Sequence, residues 1–253
     1  MKLHVIGSSS KGNGYVLEGQ NEALILDAGC KYMDCLRTIR YDYSKVCGGL
    51  LTHVHKDHSG YIVEYLKAGI PFYTNDETVL EIETVTGEKL TGLAEKQKTV
   101  IGEFLVVPFY LPHTTKNRET GEIISCPNFG YLIGHREMGK LIFMTDFEYC
   151  RHVFKKQRVN HIMIECNHID EAMRGDFAHR EHVMRGHSSL STVKKFLEVN
   201  KTSALRTVVL LHLSESNADA EIMVDEIQNV VGKDVVVKTA VPGLNLEINE
   251  LPF

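Results

Sequence analysis

Leu51-Thr52-His53-Val54-His55-Lys56-Asp57-His58-Ser59-Gly60 places four side chains able to bind a metal within six residues, directly after the apolar run Val46 to Leu51. Residues two apart on an extended chain project to the same side, so His53 and His55 can meet one cation while Val54 packs away from it. The chain must then turn into a helix expected to begin near Ser59, and that turn swings Asp57 and His58 toward a second position. Imidazole and carboxylate donors at this spacing suit zinc or a neighbouring first-row metal, whereas magnesium and calcium prefer cages of oxygen. A solvated polar turn also tolerates histidines, but it seldom gathers this many potential ligands at the end of a strand.

The H-x-H-x-D-H run resembles the signature of the metallo-β-lactamase superfamily, and other segments extend the resemblance over nearly the whole chain. Leu24-Ile25-Leu26-Asp27-Ala28-Gly29 is similar to the family's strand and Asp-x-Gly turn, whose aspartate supports the metal loops without binding metal. His113 follows Leu111-Pro112 where the family supplies a third histidine for the first metal. Asp146, in Phe143-Met144-Thr145-Asp146-Phe147, matches the bridging aspartate, and His212, in Leu210-Leu211-His212-Leu213-Ser214, matches the last histidine of the second metal. Singly, each of these is more often a satisfied buried residue or a helix cap; together they end separate strands in the family's order. The resemblance therefore implies a metal set of His53, His55, Asp57, His58, His113, Asp146 and His212. It also implies two divalent cations, zinc first, with manganese or iron as alternatives.

The fold implied is a four-layer αβ/βα sandwich, two mixed β-sheets flanked by helices, and the local patterns agree with it. Strands are expected at Lys2 to Ile6, Tyr15 to Glu18, Ala23 to Asp27, Val46 to Leu51, Phe104 to Phe109, Phe129 to Ile133, Leu141 to Met144, His161 to Glu165, Thr207 to Leu211, Val235 to Thr239 and Leu244 to Ile248. Helical spacing appears at Gly60 to Ala68, Glu77 to Val85, Leu190 to Val199 and Ala220 to Val231, with Ser188 or Ser189 and Asn217 or Asp219 as caps for the last two. A chain of 253 residues lies near the upper limit for one core, so a single domain over 1–253 is expected.

Within the superfamily, the substrate has to be argued from other residues, because one two-metal site serves lactams, thioesters, lactones and phosphodiesters. Gly7-Ser8-Ser9-Ser10-Lys11-Gly12-Asn13-Gly14 resembles the G-S-x-S-x-G-N stretch of the nuclease-like YycJ or WalJ group. Ile164-Glu165-Cys166-Asn167-His168 is similar to its L-E-S-N-H segment, with Cys166 in place of serine, and Arg185-Gly186-His187-Ser188-Ser189-Leu190-Ser191 to its G-H-L-S segment, interrupted by Ser188-Ser189. A glycine- and serine-rich turn and a helix start both expose N–H groups to an anionic phosphate. Ser10, Asn13, Asn167 and His187 are accordingly expected to contact substrate, and Asp57 and His187 to be catalytic, with Asp57 orienting a metal-bridging hydroxide and His187 orienting the scissile phosphate or protonating the leaving oxygen. His168, His179 and His182 beside Arg174, Arg180 and Arg185 are candidate backbone contacts, and Thr114 to Ile123, with Lys116 and Arg118, a candidate lid.

This reading makes the chain a two-metal phosphodiester hydrolase, a nuclease of exonuclease-like kind acting on DNA or RNA. The rivals are a thioester or lactone hydrolase on the same fold and a non-catalytic regulatory relative. A net charge of -5 excludes a protein that coats nucleic acid through a broadly basic surface, though not a nuclease whose cations control the local field. No apolar run approaches the roughly 20 residues of a membrane span, and Met1-Lys2-Leu3-His4 leads into a strand and not a signal peptide. Six scattered cysteines without a C-x-x-C pair fit a reducing compartment, so a cytoplasmic location is expected.

Overall fold

The computed structural model describes residues 1–116, 120–170 and 186–250. Its first sheet is built from β1 (Lys2–Ser9), β2 (Gly12–Glu18), β3 (Ala23–Leu26), β4 (Val46–Leu50), β5 (Phe72–Thr74) and β6 (Thr91–Gly92). Its second sheet is built from β7 (Thr99–Ile101), β8 (Phe104–Tyr110), β11 (Phe129–His135), β12 (Gly139–Met144), β13 (His161–Glu165), β14 (Thr207–Leu211) and β15 (Val236–Thr239). A small hairpin, β9 (Thr114–Lys116) and β10 (Ile123–Ser125), stands apart, and β16 (Asn245–Glu247) returns to the free edge of β1. The orders are β16-β1-β2-β3-β4-β5-β6 and β15-β14-β13-β12-β11-β8-β7.

Alternation along the strands explains why these sheets are covered on both faces. Tyr15, Leu17, Leu24 and Leu26 point inward and meet Phe104, Tyr131, Phe143, Met163 and Val209 of the other sheet, forming the central core. Their neighbours Val16, Ala23 and Ile25 point outward into a second cluster beneath α1 (Tyr32–Thr38), α3 (Ile62–Lys67) and α4 (Asp76–Thr86). In the second sheet Ile162, Ile164, Val208 and Leu210 point outward and pack on Val193, Leu197, Met223 and Ile227 of α5 (Leu190–Asn200) and α6 (Ala220–Val231). The layers are thus helix, sheet, sheet, helix, as the sequence implies.

The parallel runs β3 to β6 and β12 to β15 send the C-terminal ends of their strands to one pole of the molecule, which is where ligand sites form in such sheets. Three differences from the expected elements matter. The short helix α2 spans Lys56–Ser59, so Asp57 and His58 sit within its single turn and not in a loop ahead of Ser59. The segment 7–14 is less of a loop than its glycines and serines suggest, because β1 runs to Ser9 and β2 starts at Gly12. The described part of the candidate lid forms the β9–β10 hairpin.

Candidate metal centre and cleft

Three residues at the functional pole hold a left-handed backbone without being glycine: Asp27 (φ 59°), Asp146 (φ 51°) and His212 (φ 49°), each just after the end of β3, β12 or β14. Such conformations cost about 1–3 kcal/mol each and persist where the surroundings over-determine them, typically at active sites. Asn128 fixes the Asp146 turn by donating from Nδ2 to the carbonyls of Thr145 (3.0 Å) and Asp146 (2.6 Å). Asn167 does the same for His212, donating to its carbonyl at 2.9 Å. Gly29 is required by packing, since a Cβ there would lie 1.7 Å from the carbonyl oxygen of Asp57.

The structure brings all seven expected ligands together. His53, His55, His113 and Asp146 present ligand atoms within 4.8 Å of one another, and so do Asp57, His58, Asp146 and His212, so Asp146 belongs to both groups. The His53 Nε2 and His113 Nε2 atoms lie 3.0 and 3.1 Å from His55 Nδ1. Four donors about 2.05 Å from a tetrahedral zinc are about 3.3 Å apart, so these separations fit one cation. Hydrogen bonds on the far side of each ring choose the nitrogen left bare. His113 Nδ1 donates to the Gly186 carbonyl (2.8 Å) and His58 Nδ1 to Asp27 Oδ2 (2.7 Å). His53 Nδ1 lies 3.0 Å from the Thr52 hydroxyl, which itself donates to Asp27. Asp27 is therefore the buried anchor beneath both groups, as the resemblance implies for it.

Electrostatics follow from burial and pairing. Burial lowers His53 well below the usual imidazole range, reinforced by His58 and His113, and burial likewise takes His113 down to about 3. Both stay neutral with lone pairs available. Burial works against the charge on Asp146, but His212 and His58 outweigh it and hold the carboxyl well below its usual value. Burial also opposes the charge on His212, and Asp146 and Glu165 overcome it, raising the ring to about 10. A proton on a nitrogen facing two carboxylates is one a cation can displace, so the donor set fits two dications.

The cleft above these ligands has a volume of about 510 Å³ and is lined by Ser9, Ser10, Asn167, His187 and residues 213–217. His187 keeps a 20% exposed side chain and places Nδ1 2.7 Å from Glu165 Oε1. Ser10 is exposed on the rim. Asn13 corrects the expectation of substrate contact: it is fully buried, and its Nδ2 lies 3.1 Å from Asp57 Oδ2 and 3.1 Å from the Ser9 carbonyl. The inward-facing register of the β1–β2 hairpin puts it behind Asp57 and not beside the cleft. His168 is also corrected, because it is 2% exposed and burial lowers its pKa, leaving a neutral ring unsuited to a phosphate. Arg174, His179, Arg180, His182, Arg185, Arg118 and the Lys116 side chain lie outside the described residues.

Glu165 carried no role in the sequence reading. It is fully buried, accepts from the Ser188 and Phe147 backbone N–H groups at 3.0 and 3.2 Å, and lies 3.4 Å from His212 Nδ1. Its signal was available, because a glutamate closing an otherwise apolar strand, Ile162-Met163-Ile164-Glu165, has to find partners when buried. Asn128 had no comparable signal.

Among solved structures, the metallo-β-lactamase fold protein YhfI from Bacillus subtilis is 18% identical with a TM-score of 0.71, over 97% of this chain and 99% of that one. Human tRNase Z, short form, is 15% identical with a TM-score of 0.62, over 98% and 99%. An isothiocyanate hydrolase from Delia radicum gut bacteria is 12% identical with a TM-score of 0.64, over 99% and 100%. Identities this low carry the fold alone. No curated protein matches the sequence at a significant level. No described helix is long and apolar enough to cross a membrane. Residues 22–213 match the β-lactamase superfamily domain, and with the two sheets and the His/Asp cluster in the arrangement described, the chain belongs to that superfamily.

Proposed function

We propose that this chain is a dinuclear metal-dependent phosphodiester hydrolase, a nuclease acting on DNA or RNA as one cytoplasmic domain, and that its nearest kin by motif are the YycJ or WalJ group. The observation that carries the reading is the His187–Glu165 pair on the cleft wall, with Nδ1 and Oε1 2.7 Å apart. Burial opposes a charge on His187, but Glu165 wins and keeps the ring protonated above its usual range. With Nδ1 held by Glu165, Nε2 is the remaining donor on a ring that lines the cleft, placed to protonate the alkoxide that leaves a phosphodiester. Human tRNase Z, a fold neighbour, acts by its name on tRNA, which agrees with this substrate class.

His53, His55 and His113 would hold one cation, Asp57, His58 and His212 the other, with Asp146 between; zinc comes first, with manganese or iron as alternatives. When bound, the pair supplies Lewis acidity and a nucleophile at neutral pH. Asp57 is half-buried at the cleft beside His58 and His212, where a carboxylate would orient the attacking group; burial would raise its carboxyl, but His58 holds it ionised. Ser10, Ser214 and Ser216, which line the cleft, would offer hydroxyls to phosphate oxygens.

The test is a panel on the purified, metal-loaded protein: bis-p-nitrophenyl phosphate, single- and double-stranded DNA and RNA, and acyl thioesters. Nucleic-acid cleavage is expected, with His187→Ala reducing it by about 10²–10⁴-fold at unchanged metal content. Because p-nitrophenolate departs without a proton, the same variant should lose far less on bis-p-nitrophenyl phosphate. Thioester turnover indifferent to His187→Ala, or no phosphodiester cleavage with any metal, would replace this reading with one of its rivals.

A further inference from the structure

The N-terminal ends of β12, β13 and β14 lie at the pole opposite the metal centre, and there the surface changes sign. A groove of about 710 Å³ is lined by five cations, Arg136, Lys140, Lys156, Arg158 and Arg206, against two acids, Glu103 and Glu250. The whole chain carries a net charge of -5, so this concentration of positive charge runs against its background. Glu103 is spent on Arg136 at 3.0 Å, and Lys140 is tied to the Gln157 carbonyl at 3.0 Å. Lys156 and Arg158 are exposed and form no ion pair among the described residues. Arg158 sits in a left-handed turn (φ 52°) that closes the short 3-10 segment Lys155–Gln157.

We propose that this groove holds the sugar-phosphate backbone of a nucleic-acid substrate at a distance from the cut. The choice of occupant follows from what the groove lacks. Leu105, 40% exposed, is its one large apolar residue, beside Ala204, Gly134 and Gly139, and no Phe, Tyr, Trp or Met lines it, so it lacks the cluster of aromatic and apolar anchors that a protein partner buries at an interface. Cations beside amide and hydroxyl groups, here Gln157, Asn160 and Ser203, are what sequence-independent backbone contact uses. Distance supports it too. Strand β13 runs between the two sites, and from Asn160, which lines the groove, to Glu165 at the metal centre the extended chain covers about 17 Å at about 3.3 Å per residue. A mononucleotide cannot bridge them and an oligonucleotide can, so the groove selects polymeric over small substrates. The inference rests on the phosphodiesterase reading for its substrate, and its test is a binding measurement that does not depend on turnover.

The metal-loaded full chain is titrated into a fluorescein-labelled, phosphorothioate-linked single strand of about 20 nucleotides, and anisotropy is read across a salt series. The double variant Lys156→Glu/Arg158→Glu should weaken binding at least tenfold and take about 1.4 from the slope of log affinity against log salt, from about 0.7 per contact. The neutral pair Lys156→Gln/Arg158→Gln should fall between, and hydrolysis of bis-p-nitrophenyl phosphate should not change in either. Unaltered affinity and slope in both variants would overturn the proposal, and so would labelled poly-glutamate binding the groove as tightly, which would assign it to an acidic protein. Binding that depends on the groove in a protein that cleaves no phosphodiester would sink the hydrolase reading alone; cleavage with groove-independent binding would sink the groove alone.

Discussion

Asn13 is uncharged and sealed from solvent, yet its carboxamide reaches Asp57 Oδ2, the Ser9 carbonyl and, at 3.0 Å, His58 Nε2. It ties the β1–β2 hairpin to the acidic ligand of the second metal position. Partners of this kind usually matter by 10–100-fold in metal affinity or activity. Asn13→Ala should therefore lower the affinity of one of two metal equivalents by about that factor and leave the other intact, as read by titration with a chromophoric chelator. His161, at the far end of β13, makes a different prediction. Burial lowers its pKa to about 4, against opposing carbonyl groups of Met138 and Asn249. The unfolded chain binds this proton more readily, so the stability it contributes is intact above about pH 6.5 and is lost as pH falls toward 4. Between about pH 7 and 5 the wild type should lose about 2 kcal/mol more than His161→Phe in urea unfolding. At this scale the ligands were legible in the sequence because chemistry fixes their type and the strand period fixes their spacing. The groups that hold them were less so: Asn128 and Asn13 act through side-chain hydrogen bonds to residues distant in the chain, which leave no periodic trace.

At the scale of elements, caps and apolar spacing predicted α5 and α6 within a residue. Ser189 Oγ accepts from the Thr192 N–H, and Asp219 accepts from those of Glu221 and Ile222. Ser189→Ala should cost about 1 kcal/mol and lower the melting temperature by about 2–4 °C. Because α5 begins just after His187, the variant should also slow nucleic-acid cleavage, which calorimetry and kinetics together would separate from global loss. Helix α1 escaped the sequence reading: its Lys31 makes no side-chain cap, and only Cys35 and Leu36 are buried along its seven residues. Strands β5, β6 and β7 are two or three residues long and too short for alternation to register. The helix at Lys56–Ser59 was misplaced because its residues are chosen for ligation and not for helix propensity.

For the whole molecule, the layer order was legible since sheets buried on both faces need near-continuous apolar strands and flanking amphipathic helices. The distant cationic groove was not, because its five charges come from separate segments between residues 136 and 206 and converge only through the parallel register of β12 to β14. The metal positions draw His53 to His58 from the end of the first sheet and His113, Asp146 and His212 from the second. Ions that bind only the assembled pair of sheets stabilise it by mass action. Chelation should therefore lower the melting temperature by several degrees, and readdition of zinc or manganese should restore it, measured by scanning calorimetry.

The crossing from one sheet to the other happens once in the first half of the chain, between Gly92 at the end of β6 and Thr99 at the start of β7. A polypeptide severed in that exposed connection would leave one fragment with His53, His55, Asp57 and His58 and another with His113, Asp146 and His212. Neither fragment alone owns a complete coordination set, so recovery of tight ion uptake on mixing would announce that the two pieces had found each other.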